Sequence, residues 1–155
     1  MQKASPNYTL LIISISSPIL LGVYRDDELI EEIESDRKTS DILLTIINQL
    51  MLKYPLSLII YTRGPGSYMA IKLTYIILKT IQIIKKIPFS GCSAFAFNGN
   101  KPIKAIGNLY FVKEKETIIT QKFDQIIPQE YLLPISLASL TLDEISTPNY
   151  IIPAV

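Results

Sequence analysis

The sequence predicts a small α/β domain in which a sheet carries two helices. Short segments rich in β-branched and aromatic residues precede and separate two longer apolar segments, each long enough for several helical turns. The predicted order is three strands, a helix, a strand, a second helix and a further strand. Because helices connect the later strands, we expect a mixed sheet of about five strands that is parallel in part.

The first three strands are expected to form an antiparallel meander. They span residues 10–16, 19–25 and 28–34, with Ser17-Pro18 separating the first two and Asp26-Asp27 forming a hairpin turn. Four glutamates lie among the aliphatic residues of the third strand, which indicates that one of its faces is solvated.

The first helix is predicted to begin at Thr39 or Ser40, either of which could serve as its N-cap. Asp41 then lies in the first turn, where the helix dipole favours a negative charge. The helix should continue to about Lys53, because the following Tyr54-Pro55 disfavours helical backbone.

A charge-free segment at residues 56–62 predicts a strand that is buried on both faces, as in a parallel sheet. The second helix is expected to begin at Ser67 or Tyr68 and to end near Lys86, since Pro88 follows. Residues 89–92 predict one more short strand.

The last third of the chain has a weaker pattern. Residues 98–102 predict a loop and a candidate domain boundary, and residues 105–112 and 117–123 could pair around the charged turn at 113–116. Four prolines after Asp124 break any long element, so we expect an irregular tail laid over the surface.

The composition excludes several kinds of site. With 15 basic and 14 acidic residues, the charge balance gives no electrostatic argument for direct nucleic-acid binding. The sequence has no histidine, which excludes histidine metal ligands and histidine-activated nucleophiles. Cys92, the single cysteine, is expected to be buried rather than reactive. Asp143 and Glu144 are interpreted as a solvated turn, so no carboxylate pair is placed for acid–base chemistry.

Residues 6–24 carry no charge and could suggest a membrane anchor. Pro18 interrupts this stretch, however, and its serines alternate with isoleucines at the period of a strand. We therefore expect no membrane segment and a cytoplasmic protein.

Both helices carry more apolar surface than packing on one sheet requires. In the second helix Lys72, Lys79 and Lys86 recur every seven residues and line one stripe, while almost all other positions are apolar. Complete burial within the domain is one interpretation, but so short a chain has little mass with which to cover both helices. We favour the other interpretation, in which each helix packs on the sheet with one face and on another polypeptide with the other.

The turn between the buried strand and the second helix consists of Arg63, Gly64, Pro65, Gly66 and Ser67. A structural interpretation is a tight turn in which the glycines supply unusual backbone angles and Ser67 caps the helix. A phosphate contact at the helix N-terminus, with Arg63 as an additional ligand, is the alternative. Because the segment lacks the lysine of a P-loop and the third glycine of a dinucleotide site, the structural interpretation is favoured.

Three segments resemble the TsaB (YeaZ-like) family. Residues 62–73, Thr-Arg-Gly-Pro-Gly-Ser-Tyr-Met-Ala-Ile-Lys-Leu, resemble its motif R-G-P-G-S-F-T-G-L-R-I. Residues 87–94 resemble I-P-L-x-G-V-S-S-L, and residues 10–16 resemble L-x-I-D-T-S. Members are subunits of the bacterial machinery that makes threonylcarbamoyladenosine in tRNA.

This resemblance implies an actin-like fold (ASKHA, RNase H-like) with two lobes. We expect residues 1–98 to form the first lobe, and residues 99–155 to form a reduced, truncated second lobe and a C-terminal tail. The resemblance also implies a non-catalytic subunit that pairs with a TsaD-like catalytic subunit through helices of the first lobe. A TsaE-like ATPase would join the pair, and tRNA would be reached indirectly through the complex. No cofactor is expected in this chain itself, with ATP only at an interface with partner subunits.

The sequence departs from the family pattern at several positions. Ser14 stands where the family has a first-strand aspartate, which argues against ATP hydrolysis. Residues 68–72 read Tyr-Met-Ala-Ile-Lys instead of Phe-Thr-Gly-Leu-Arg, and Thr39-Ser40 replaces the His-Ser that opens the first helix.

The first hypothesis is therefore a scaffold or activator subunit for N6-threonylcarbamoylation of adenosine 37. Its predicted partner interface comprises Ile42, Ile46, Met69, Lys72, Leu73, Ile76 and Thr80. The second hypothesis is a small enzyme that binds a phosphate or acyl-coenzyme A at the turn of residues 63–67. A homodimer through the same helices is a third arrangement when the chain is alone.

Overall fold

The computed structural model describes residues 5–15 and 17–150, and this part of the chain contains eight strands, two α-helices and one short 3-10 helix. In chain order they are β1 (Tyr8–Ile13), β2 (Ile19–Arg25), β3 (Glu28–Ser35), α1 (Thr39–Lys53), β4 (Leu56–Gly64), α2 (Tyr68–Lys85), β5 (Phe89–Ser93), the 3-10 helix (Ala94–Phe97), β6 (Ile103–Lys104), β7 (Leu109–Glu114) and β8 (Thr117–Lys122).

The central sheet has five strands in the order β3-β2-β1-β4-β5. The first three strands form the predicted antiparallel meander, and β4 runs parallel to both β1 and β5. The prediction of a mixed sheet of about five strands with two helices is therefore confirmed. The hairpin between β2 and β3 turns at Asp26 and Asp27, whose φ angles are 47° and 72°.

Both faces of this sheet are buried except at β3, where Glu28 and other alternate residues are exposed. Leu10 and Ile12 of β1 pack with the helices, whereas Leu11 and Ile13 pack on the opposite face against the 3-10 helix and the residues that follow it. Strand β4 shows the same alternation, as predicted for a strand buried on both faces. The two helices therefore share one face of the sheet, and the C-terminal part of the chain covers the other.

The bounds of most elements agree with the predictions to within two residues, but the helix caps do not. Helix α1 begins at Thr39, so Lys38 is its N-cap residue, and no side chain accepts a capping hydrogen bond there. Ser67 is the N-cap residue of α2, but its hydroxyl makes no capping bond either. The predicted caps at Thr39, Ser40 and Ser67 are therefore wrong as side-chain caps.

In the part of the chain that the structure describes, no helix is both long enough and apolar enough to span a membrane.

Strand β1 is shorter at its C-terminal end than predicted, since it leaves the sheet after Ile13. Ser16, the last residue of the predicted strand, lies outside the described residues. Strands β7 and β8 pair around a turn at Lys115 and Glu116, which confirms the predicted pairing, and β6 adds a third strand to this small sheet.

The tail is irregular, as predicted, and it crosses from one edge of the central sheet to the other. At the β3 edge the Leu29 amide donates to the Ile135 carbonyl at 3.1 Å, and at the β5 edge the Asp143 amide donates to the Gly91 carbonyl at 2.9 Å. Both the small sheet and the tail follow residue 98, but the division into a first lobe and a reduced second lobe stays a prediction.

Candidate functional site

The turn of residues 63–67 is held by close backbone packing. Gly64 has a φ of +129°, and a Cβ atom there would lie 2.7 Å from the Asn149 carbonyl oxygen of the tail. A Cβ atom on Gly66 would lie 2.8 Å from the Ile15 Cβ atom. Both distances are shorter than real Cβ atoms tolerate, so glycine is required where the tail and the end of β1 meet the turn.

The Arg63 side chain lies across Gly91 and reaches the tail. A Cβ atom on Gly91 would lie 2.5 Å from the Arg63 Cδ atom. Arg63 donates through Nη1 to the Asp143 carboxylate at 3.0 Å and through Nε to the Thr147 carbonyl at 2.7 Å. Its side chain is only 11% exposed, which strengthens this charge-assisted pair relative to a surface ion pair.

Two further hydrogen bonds complete the attachment of the tail. The Asn149 amide donates to the Arg63 carbonyl at 2.7 Å, and the Tyr61 hydroxyl donates to the Ser146 carbonyl. We call Arg63, Gly64 and Gly91, together with tail residues 143–150, the tail clasp. Asp143 is partly solvated, as interpreted, but its pairing with Arg63 was missed, because a sequence pattern does not show which distant cation a carboxylate will meet.

The sequence also suggests Arg63 as a ligand for a phosphate at the start of α2. Its guanidinium is directed to the tail by the two hydrogen bonds described above, so a phosphate at this turn would have to compete with Asp143 and Thr147. The phosphate contact stays a prediction that the structure does not favour.

A cleft of about 660 Å³ lies where the two helices begin, and it is lined by residues from the end of β1, the loop before α1 and the first turns of both helices. The Thr74 hydroxyl donates to the Ala70 carbonyl at 2.8 Å, so the Ser14 hydroxyl is the donor in its 2.8 Å bond with Thr74. Ser14 therefore fastens the end of β1 to α2. Asp36 is the one acidic residue in the lining, beside Arg37 and Lys38.

Cys92 is buried on the face of the sheet opposite the helices, as predicted. Burial raises the pKa of its thiol to about 12, and the nearby Asp143 carboxylate contributes to the increase. The thiol is therefore protonated at neutral pH and is a poor nucleophile.

In the described parts of the chain, no group of three or more acidic, cysteine or histidine side chains is placed to hold a metal ion.

Helix α2 exposes an apolar ridge directly opposite its buried face. Met69, Ile76 and Ile83 recur every seven residues and are 69%, 49% and 62% exposed. At 100° per residue these three side chains share one side of the helix, while Ile71 and Leu78 point to the sheet. The ridge runs from Met69 to Ile83, which is 15 residues or about 21 Å along the helix axis.

Helices α1 and α2 run side by side in the same direction. Their first turns meet at the cleft described above, and their last turns meet at a cavity that Asn48, Met51 and Leu52 line together with Lys85 and Ile87. The outward apolar side chains of both helices form what we call the two-helix face: Leu44, Leu52, Met69, Ile76, Ile83 and Ile84.

Most of the predicted interface residues lie on or beside this face. Met69, Lys72, Ile76 and Thr80 are exposed, and Leu73 is half-buried. The prediction that Ile46 lies in the partner interface is wrong, because Ile46 is 6% exposed and belongs to the core between the helices and the sheet. Ile42 is half-buried against the same core.

Sequence reasoning missed four members of the two-helix face: Leu44, Leu52, Ile83 and Ile84. Ile83 could have been found, because it continues the seven-residue spacing of Met69 and Ile76. The exposure of Leu44 and Leu52 depends on how α1 lies on the sheet, which periodicity alone did not reveal.

The charges beside the ridge have one sign. Lys72 and Lys79 are exposed three residues after Met69 and Ile76, respectively, so they border the ridge on one side. Helix α2 contains no acidic residue that could neutralise them.

No protein-family model matches the sequence, and a search of curated proteins likewise found no match. Solved structures, in contrast, resemble the fold. YeaZ from Pseudomonas aeruginosa superposes with a TM-score of 0.58 at 10% identity, covering 80% of this chain and 72% of that one. A protein described as uncharacterized, with similarity to peptidase YeaZ from Pseudomonas aeruginosa, gives a TM-score of 0.53 at 12% identity, covering 86% and 72%. The predicted resemblance to YeaZ-like proteins is thus confirmed at the level of the fold.

Proposed function

We propose that this chain is a non-catalytic scaffold or activator subunit of a complex that carries out N6-threonylcarbamoylation of adenosine 37 in tRNA. In this proposal the two-helix face docks a TsaD-like catalytic subunit, a TsaE-like ATPase joins the pair, and tRNA is reached through the complex. Support comes from the YeaZ-like fold together with the motif at residues 62–73.

The observation that carries the proposal is the set of exposed apolar side chains on the two-helix face. Single exposed apolar residues are ordinary, but a ridge of three at one spacing, flanked by further apolar side chains, is typical of a protein–protein interface. Helix α2 is already fastened to the sheet by its inner side, so the ridge is available to another polypeptide.

The chemistry of the chain supports a binding role over a catalytic one. The sequence has no histidine, and the Cys92 thiol is kept protonated by the pKa increase that burial causes. The Ser14 hydroxyl and the Arg63 guanidinium, which an enzyme of this fold could have used, both make structural hydrogen bonds. In the proposed complex, ATP would be bound only where partner subunits contribute.

The charges beside the ridge favour a partner with acidic residues over a second copy of this chain. A homodimer through α2 would bring the same lysines to the interface from both copies, and neither copy of α2 carries a carboxylate that could pair with them. Opposite charges across an interface accelerate association and disfavour wrong partners. Self-association is therefore expected to be the weaker arrangement, formed when the partner is absent.

The test is to mix the full chain with a TsaD-like protein and to measure association by gel filtration and calorimetry. Binding is expected, and Ile76→Glu combined with Ile83→Glu should abolish it, because two charges would be buried without partners. Ile126→Glu is the matched control, since Ile126 is exposed in the tail, away from the helices. Failure of the unaltered chain to associate would contradict the proposal.

A further inference from the structure

The tail clasp ends beside the two-helix face. Tyr150, the last described residue, packs on Tyr68 with ring centroids 4.6 Å apart. Tyr68 is the first residue of α2 and directly precedes Met69, and the Lys72 Nζ atom lies 5.9 Å from the centre of its ring. Both tyrosines are about half exposed, and they lie beside the first residue of the ridge, on the side where Lys72 borders it.

The position of Tyr150 is fixed by the contacts that precede it. Between Asp143 and Asn149 the tail makes five polar contacts with the ends of β4 and β5: one ion pair and four hydrogen bonds to backbone carbonyls. Gly64 permits the last of these, because any side chain there would collide with the Asn149 carbonyl. An interface residue that is already ordered loses less conformational entropy on binding.

We propose that the partner surface of this chain is composite: the tail clasp holds Tyr150 beside Tyr68, and the partner contacts this tyrosine pair together with the ridge of α2. The inference rests on the proposed function for the identity of the partner, a TsaD-like subunit. Tyrosine suits such a position because it buries a large ring and keeps its hydroxyl group hydrated or hydrogen-bonded at the rim. Arg63 and Asp143 are then positioning residues, which act through the tail.

Binding of full-length variants to the TsaD-like protein tests the proposal directly. Tyr150→Ala should weaken binding roughly tenfold, in the range typical of an interface tyrosine. Asp143→Asn should weaken it as well, by releasing the tail, although Asp143 lies away from the ridge. Ile126→Ala, which removes an exposed apolar side chain elsewhere in the tail, should leave binding unchanged.

Amide hydrogen exchange of the isolated full chain gives a readout that does not need the partner. In Asp143→Asn, exchange at the Asn149 amide should rise about fivefold, since a charge-assisted contact is lost. Exchange at the Leu137 amide, which donates to Asp27 at the far edge of the sheet, should stay the same.

The outcomes separate the two proposals. If the unaltered chain binds the partner and Tyr150→Ala binds equally well, the composite surface is wrong while the proposed function stands. If exchange at Asn149 is unchanged in Asp143→Asn, the clasp does not hold the tail and the inference fails whatever the partner does. If the unaltered chain does not bind at all, both proposals are contradicted.

Discussion

Helix α2 and the tail both expose apolar side chains, but they arrange them differently. On α2, Met69, Ile76 and Ile83 lie on one ridge because the helix brings every seventh residue to the same side. In the tail, Ile126 and Leu132 are exposed on an irregular backbone that follows no period. A regular backbone therefore places exposed apolar residues on one side at a fixed spacing, whereas an irregular backbone places them at no fixed spacing.

The two regions are also stabilised by different interactions. Helix α2 makes its own backbone hydrogen bonds and is attached to the sheet by apolar packing of Leu78 and Ile81. Leu137 of the tail also packs in the core, but the segment of the tail at residues 143–149 has no regular structure and is attached by polar contacts with Arg63, Tyr61 and Gly91. Apolar substitutions should therefore affect α2 most, and polar or glycine substitutions should affect the attachment of residues 143–149 most.

The largest effect is expected on the inner side of α2. Leu78→Ala removes a fully buried side chain and should lower the free energy of unfolding by about 2–5 kcal/mol. Ile76→Ala, on the ridge of the same helix, should change it by no more than about 1 kcal/mol. Urea denaturation of both variants measures the difference. Equal losses would mean that the ridge is buried in the isolated chain.

A smaller loss is expected where the tail meets the turn. Gly64→Ala should cost about 1–3 kcal/mol of unfolding free energy, because φ is positive and the new methyl group would collide with the Asn149 carbonyl. Gly107→Ala is the control: its φ is +61°, but nothing lies within 4 Å of the added atom. The excess loss in Gly64→Ala reports the tail contact, and identical losses would show that the tail is not seated there.

The ion pairs give a finer comparison. Asp143→Asn should lower the unfolding free energy by about 1 kcal/mol, since the Arg63 side chain is mostly buried and keeps only neutral acceptors. Glu31→Gln removes the carboxylate that pairs with Lys53, whose side chain is 58% exposed, and should produce no measurable change. Thermal unfolding of the two variants at neutral pH is the measurement. If Glu31→Gln loses more unfolding free energy than Asp143→Asn, the Arg63–Asp143 pair is not the more important of the two ion pairs.

The smallest effect at neutral pH concerns Cys92. Folding raises the pKa of its thiol from 9.0 to about 12 through burial, so the protonated form stabilises the folded state below pH 9. This contribution should decline as the pH rises from 9 towards 12, because the unfolded chain releases the proton first. At pH 8, iodoacetamide should label the thiol rapidly in urea and only slowly in the native protein. Rapid native labelling would show that Cys92 is accessible.

Much of the fold followed from local patterns. The segment at residues 19–25 and the end of the first helix at Lys53 were predicted as they are found, since hydrophobic period and proline placement act over a few residues. The capping residues were predicted less well. Whether a serine hydroxyl turns to the helix end depends on the loop before it, and Ser67 instead uses its backbone amide to bond Ile15 at 3.4 Å.

The candidate site, like the fold, was predicted from the sequence only in part. The excess of apolar residues on α2 and the seven-residue recurrence of its lysines were legible in the sequence, and so the ridge could be anticipated from Met69 and Ile76. Ile46 was misplaced because a helix that is apolar nearly all round does not reveal which side meets the sheet. The exposed side of α1 became clear only from its packing.

The sequence by itself determined the order of strands and helices, the glycine turn at residues 63–67 and a second helix too apolar for one sheet, because these features depend on neighbours within a few residues. Only the tertiary structure decided what the turn does. Arg63 lies across Gly91 and binds Asp143, 80 residues further along the chain. The same fold places Tyr150 on Tyr68 at the start of the ridge. Contacts of this kind depend on the path of an irregular tail, which no periodicity encodes.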